Sequence, residues 1–167
     1  MFQKVDPKSL DQNVFSLIGD QWMLISAGTP ERLNTMTASW GGLGVLWKRN
    51  VATVYIRPQR YTLEFVEKED YFTLSFFGEA YRKQLALCGS KSGRDIDKIK
   101  ECGFTVAAGA GNAPYFEEAE LVLVCRKLYC QDIDPDCFLD KNLDGEIYPE
   151  KDYHRMFIGE IVEAWKK

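Results

Sequence analysis

The chain is poor in the residues that build metal centres. His154 is the only histidine in 167 residues, and the five cysteines form no C-x-x-C pair. A structural zinc site needs four closely spaced Cys or His ligands, so zinc is excluded as the organising chemistry. Cys125, Cys130 and Cys137 lack the spacing and the fourth ligand of an iron–sulfur centre. With Cys88 and Cys102 they are expected as free, buried or half-buried thiols without a catalytic part, in a cytoplasmic protein. No run of 18 apolar residues occurs, which excludes a membrane-spanning helix. The segment from Met1 to Pro7 lacks the apolar stretch of a secretory signal. Basic residues are not in excess: 21 Lys and Arg face 25 Asp and Glu, for a formal charge of -4, which argues against a general nucleic-acid binder. Repeats, low-complexity linkers and a G-x-G-x-x-G fingerprint are all missing, so one domain over 1–167 is expected, without a separate nicotinamide-binding fold.

Hydrophobic residues make up 46% of the chain and aromatic residues 13%, enough apolar content to rule out disorder. The β-branched and aromatic runs 22–27, 51–56, 71–76, 121–128 and 156–164 read as strands. Short helices are expected over 9–17, 61–68, 81–87 with Gly89 as its stop, and 95–102 closed by Gly103. Strands dominate without regular βαβ alternation, which predicts a mainly β fold, an antiparallel barrel with small helices at its corners.

Three polar patches stand out. Asn34-Thr35-Met36-Thr37-Ala38-Ser39-Trp40 runs into Gly41-Gly42-Leu43-Gly44, where small residues let backbone N–H groups approach a ligand. Arg57-Pro58-Gln59-Arg60-Tyr61-Thr62 sets two cations and a hydroxyl before a helix, a recipe for binding phosphate. Ser90-Lys91-Ser92-Gly93-Arg94-Asp95 repeats it. Together they point to an anionic, phosphate-bearing ligand.

In this order and spacing the motifs Asn34-x-Met36-Thr37-x-Ser39-Trp40-Gly41, Arg57-Pro58-x-Arg60-Tyr61-Thr62 and Ser92-Gly93-Arg94-Asp95-x-Asp97-Lys98 resemble the flavin reductase-like family, most nearly its flavoredoxin-type branch. The resemblance runs from about Trp22 to Trp165. It implies an FMN-binding split β-barrel of Greek-key antiparallel form, a homodimer, and redox chemistry at a noncovalent FMN. Carried onto this chain, it places Met36, Thr37, Ala38 and Ser39 along the flavin ring, their amides facing its pyrimidine edge, with Trp40 as a cover or a core aromatic. Donors there would stabilise the negative charge of the reduced ring. Arg57, Arg60 and Thr62, with Tyr61 between them, would hold the phosphate, and Lys91, Ser92 and Arg94 would close over it or the ribityl chain. Asp95 and Asp97 are expected to cap a helix. His154, five residues before Gly159, matches a family histidine near the flavin and the nicotinamide, where it would orient the nicotinamide or donate a proton; the alternative is a surface histidine beside Asp152 and Tyr153.

The implied function is an oxidoreductase that takes a hydride from NADH or NADPH and passes electrons through FMN to a flavin, a metal complex or a protein. The alternatives are an electron carrier without a nicotinamide site and a non-redox flavin-binding domain. One decoy is set aside: Asp140 to Ile147 follows the first eight positions of a calcium loop, but Lys151 stands where the bidentate Glu belongs, so the stretch reads as a turn.

Overall fold

A computed structural model describes residues 1–167. Ten strands follow in chain order: β1 (Gln3–Val5), β2 (Met23–Thr29), β3 (Arg32–Ala38), β4 (Gly41–Leu46), β5 (Arg49–Ile56), β6 (Tyr71–Phe76), β7 (Val106–Ala108), β8 (Pro114–Phe116), β9 (Leu121–Asp132) and β10 (Arg155–Lys166). The α-helices are α1 (Val14–Gly19), α2 (Thr62–Lys68), α3 (Arg82–Ser90), α4 (Lys98–Cys102) and α5 (Asn142–Ile147). Eight strands form one antiparallel sheet in the order β3-β2-β6-β9-β10-β5-β4, with β1 beside β10, while β7 and β8 pair separately. The end strands β3 and β4 are consecutive in the chain, joined only by Ser39 and Trp40. The sheet therefore curls until its two edges meet at that turn. The edges do not pair, so the barrel stays split.

Side-chain alternation accounts for the apolar runs. Met23, Ile25 and Ala27 of β2, with Leu121, Leu123 and Cys125 of β9, join Val54, Ile56, Phe72, Phe76 and Phe157 in the barrel core. Their neighbours Leu24, Val122 and Val124 face outward onto a second cluster with Leu85, Cys88, Phe104 and Phe116. Such strands are buried on both faces and so read as continuous hydrophobic stretches rather than alternating ones. In β10, Gly159 lies against the Phe72 ring; a Cβ there would come within 2.8 Å of two ring carbons.

The local differences from the sequence reading have identifiable causes. The stretch 9–17 is not one helix. Pro7–Ser9 forms a single 3₁₀ turn, and α1 begins after Asn13, whose side chain accepts from the amides of Phe15 and Ser16. The expected helix over 95–102 is only α4, because Asp97 is its N-cap, accepting from the amides of Ile99 and Lys100; Gly103 closes it at φ 67°. Asp95 is not the cap. Gly89 does not end α3, which continues to Ser90, whose hydroxyl bonds the Ala86 carbonyl. Glycine at 89 instead lets Thr37 of β3 pack close to the helix. The stretch 140–147, read as a turn, contains α5, started by Asp140 accepting from the Asn142 amide. Asp144 of that helix is engaged by Lys151 and Tyr153.

Candidate functional site

Strand register builds the site. Arg155 pairs with Ile56, so one step further His154 faces Arg57 across the β10–β5 ladder. Gly41 pairs with Val54, so one step further Trp40 faces Tyr55 across β4–β5. The open seam thus gathers the end of β3, the Ser39–Trp40 turn, the end of β5 and the start of β10. A cavity of about 330 Å³ lies there, lined by Met36, Thr37, Ala38, Ser39, Trp40, Tyr55, Arg57, Arg60 and His154. That volume is at the lower end for small-molecule sites.

The wall at 36–40 differs from the glycine-loop reading. Met36, Thr37 and Ala38 belong to β3, and the glycines begin β4. Their amides still matter, because β3 is an edge strand and every second amide faces away from β2. The strand is held from behind: Thr37 Oγ1 donates to Leu85 O of α3 at 2.5 Å, and Asn34 Nδ2 donates to Thr62 Oγ1 at 2.8 Å. Gly41 allows the turn, since a Cβ would meet Thr53 O at 2.8 Å. Trp40 is 49% exposed at the mouth and is not a core aromatic.

The two arginines are not equivalent. Arg57 is tied into the protein: Nη1 donates to Asp152 Oδ2 at 2.5 Å, Nη2 to Ile147 O at 3.0 Å, and its guanidinium lies 5.1 Å from the Tyr148 ring centre. Gln59 holds the same Asp152 oxygen. Arg60 makes one bond, to Gly89 O at 2.8 Å, and has no carboxylate partner. Burial lowers its pKa from the ordinary arginine value. An uncompensated, partly desolvated cation on a cavity wall favours an anionic ligand.

The third patch and the start of α2 lie outside the cavity lining. Thr62 is buried and already accepts from Asn34. Tyr61 packs edge-on against Phe65 and carries the Arg94 guanidinium 4.4 Å above its ring. Arg94 pairs with Glu64, and its amide donates to Ser92 Oγ. Lys91 follows α3, two residues past the carbonyl that Arg60 binds.

His154 is not a surface histidine. It is 7% exposed, packed 5.2 Å from the Trp40 ring, with Nδ1 2.8 Å from Tyr148 Oη. Burial and the nearby Arg57 charge push its pKa down to about 4, so the imidazole is neutral at pH 7.

Tyr55, Tyr148 and Asp152 are site or supporting residues outside the three motifs, and Lys98, the last residue of the third motif, has a supporting part that the motif does not assign. Lys98 is 5% exposed, and its ammonium donates to Thr35 O at 2.7 Å and Cys88 O at 2.8 Å, joining β3 to α3. Burial brings its pKa down to about 8. All five cysteines are free, but only Cys88, Cys102 and Cys125 are buried; Cys130 and Cys137 are exposed, against expectation, because they lie on the solvent-facing end of β9 and in the following loop. Burial pushes the Cys88 thiol up to about 12, which keeps it unreactive at neutral pH. No helix is long and apolar enough to cross a membrane.

These features define a class: an open antiparallel barrel with a cation-bearing cleft at its seam. The chain belongs to the flavin reductase-like family, whose model, described as a flavin reductase like domain, matches residues 15–167. Known structures share the fold. An FMN-binding domain of a flavin reductase-like enzyme from Shewanella baltica is 21% identical, with a TM-score of 0.71 over 99% of this chain and 77% of its own. Flavoredoxin from Methanosarcina acetivorans is 23% identical, with a TM-score of 0.69 over 98% and 76%. An NADH:FAD oxidoreductase from Streptomyces globisporus, in complex with NAD and FAD fragments, is 15% identical, with a TM-score of 0.65 over 88% and 74%. No curated protein matches the chain.

Proposed function

We propose that this protein binds FMN noncovalently at the seam and transfers electrons from NADH or NADPH, through the flavin, to a flavin, metal or protein acceptor. The observation that carries this reading is Arg60, a partly buried cation without a carboxylate partner on the wall of a cavity whose other lining is an edge strand, ring side chains and the Asp152-paired Arg57. The FMN-binding description of the Shewanella baltica neighbour and the NAD-bound Streptomyces neighbour point the same way.

Bound FMN would supply a ring that accepts a hydride and releases electrons singly or in pairs. The chain's part is binding and orientation. Arg60 neutralises the phosphate, and Lys91 and Ser92 shortly follow Gly89, whose carbonyl Arg60 binds. Amides on the free edge of β3, over Met36 to Ala38, stabilise negative charge at the ring edge. Arg57 braces the segment that carries Tyr148, Asp152 and His154. Trp40 and His154 border the mouth, where a nicotinamide would stack without a domain of its own. Self-association into a homodimer is part of the reading, supported by the exposed apolar tip of the β4–β5 hairpin: Val45 is 73% exposed, and Trp47, 53% exposed, packs against Tyr129. The unpaired thiols support a reducing, cytoplasmic setting.

Anaerobic mixing of the FMN-loaded protein with NADH or NADPH tests the route. Bleaching of the flavin band within seconds is expected. A band that only a protein donor bleaches would make the chain an electron carrier, and protein that takes up no FMN would refute the reading.

A further inference from the structure

Tyr148 belongs to none of the three motifs, yet it is 4% exposed and in direct contact with the site. Its hydroxyl lies 2.8 Å from His154 Nδ1, its one side-chain partner, and the His154 backbone N–H also approaches its oxygen. The ring is held from two further sides, by the Arg57 guanidinium at 5.1 Å and by the Tyr153 ring at 4.9 Å. His154 lines the cavity, whereas Tyr148 does not. Tyr148 occupies Nδ1, which leaves Nε2 as the ring nitrogen free for a ligand in the cavity. Nε2 has no partner within the chain.

Two proton arrangements fit the 2.8 Å contact. If Nδ1 carried the hydrogen, the phenol would accept it, and the phenol's own proton would be buried without an acceptor. If Nε2 carries the hydrogen, Tyr148 donates to Nδ1 and that buried donor is satisfied. An orphaned buried donor is destabilising, and a phenol is the better donor while an imidazole nitrogen is the better acceptor. The charged and titratable groups around the pair favour the neutral ring. Arg57 of the β5 end opposes an imidazolium, and Asp152, the one nearby carboxylate, is held by Arg57 and Gln59. Burial raises the Tyr148 pKa, which keeps the phenol protonated.

We propose that Tyr148 is a positioning residue that fixes His154 as the Nε2–H tautomer, so that the cleft offers its ligand a neutral donor matched to a carbonyl-type acceptor. The identity of that ligand rests on the flavin reading; the tautomer does not. The tautomer is set by the bond at the opposite nitrogen.

Because His154 is the only histidine, its two ring nitrogens are the only imidazole signals in a ¹⁵N spectrum of the labelled full-length protein. In flavin-free protein at pH 7, a protonated Nε2 and an unprotonated Nδ1 are expected. Tyr148→Phe, with folding checked by its urea midpoint, should mix the tautomers and draw the two nitrogen shifts together. A protonated Nδ1 in the wild type, or tautomer populations unchanged in Tyr148→Phe, would overturn the proposal. FMN and then NAD⁺ are added next. A shift of the Nε2 proton with FMN alone assigns the acceptor to the flavin ring, and one that needs NAD⁺ assigns it to the nicotinamide amide. The responsible ligand should bind about two- to tenfold more weakly to Tyr148→Phe, the worth of one neutral hydrogen bond. No shift with either, while flavin fluorescence shows FMN bound, would refute the donor role. Failure of FMN to bind would sink the flavin reading and leave the tautomer to be judged on the flavin-free spectra.

Discussion

Replacing each arginine of the Arg57–Arg60 turn with alanine should produce opposite phenotypes. Arg57 bonds Asp152 and Ile147 O and lies on the Tyr148 ring. Its removal leaves the Ile147 carbonyl unpaired and strips a half-buried carboxylate of its cation. Lost charge-assisted bonds of this kind cost about 1.5–3 kcal/mol, so the urea midpoint of flavin-free Arg57→Ala should fall clearly. Arg60 makes one internal bond, to Gly89 O, and is a partly desolvated cation without a carboxylate partner. Losing that bond costs about 1 kcal/mol, and removing the desolvated charge offsets part of it, so flavin-free Arg60→Ala should keep a nearly normal midpoint. Its FMN affinity should drop by roughly ten- to a hundredfold, the equivalent of about 1.5–3 kcal/mol for a charge-assisted bond to phosphate. Urea denaturation and quenching of FMN fluorescence measure the two quantities on the same samples. Unchanged FMN affinity in Arg60→Ala, or a midpoint loss as large as that of Arg57→Ala, would refute the division of labour.

Three further outcomes follow from the structure. His154 has a folded pKa near 4 against about 6.5 unfolded, so the unfolded chain binds the extra proton between these values. Its stabilisation is complete above pH 6.5 and declines by roughly 2–3 kcal/mol as pH falls to 4; urea midpoints at pH 7 and pH 5 should differ less in His154→Gln than in the wild type. Lys98→Met leaves the buried Thr35 and Cys88 carbonyls without their donor, which should cost about 1–3 kcal/mol; an unaltered denaturation curve would show that the amine does not join β3 to α3. Gly159→Ala drives a methyl into the Phe72 ring and should destabilise by about 1–3 kcal/mol through overpacking, measured as a lower melting temperature.

Legibility in the sequence followed the range of the interactions. The strand at 71–76 was readable from the alternation of Phe72, Leu74 and Phe76 with Thr73 and Ser75, and the one at 121–128 because burial on both faces leaves the apolar run 121–125, as Leu123 in the barrel core and Val124 in the outer cluster illustrate. Met36 to Trp40, Arg57 and Arg60 were readable as candidates because the motifs are local, and the structure brings them together with His154 at one cavity. What the motifs lack is the use of each side chain. Arg57 looks like Arg60 in the sequence, and only the return of the chain at 147–152 gives it Asp152. Tyr148 and Tyr55 reach the site through the path after α5 and through strand register, neither of which leaves a local pattern. Lys98 closes the third motif with no part that the motif assigns to it, and its amine is buried between two carbonyls from distant elements. The helix at 142–147 escaped notice because Asp140, Asn142, Asp144 and Gly145 have turn composition, and its Asp144 is secured by Lys151 and Tyr153.

Titration of the flavin-free protein with FMN, riboflavin and FAD, followed by flavin fluorescence and absorption, tests the central claim most directly. The account predicts saturable binding of FMN with one flavin per chain, and binding of riboflavin at least tenfold weaker, because riboflavin lacks the phosphate that Arg60 neutralises. Equal affinity for FMN and riboflavin, tightest binding of FAD, or no binding of any flavin would contradict it.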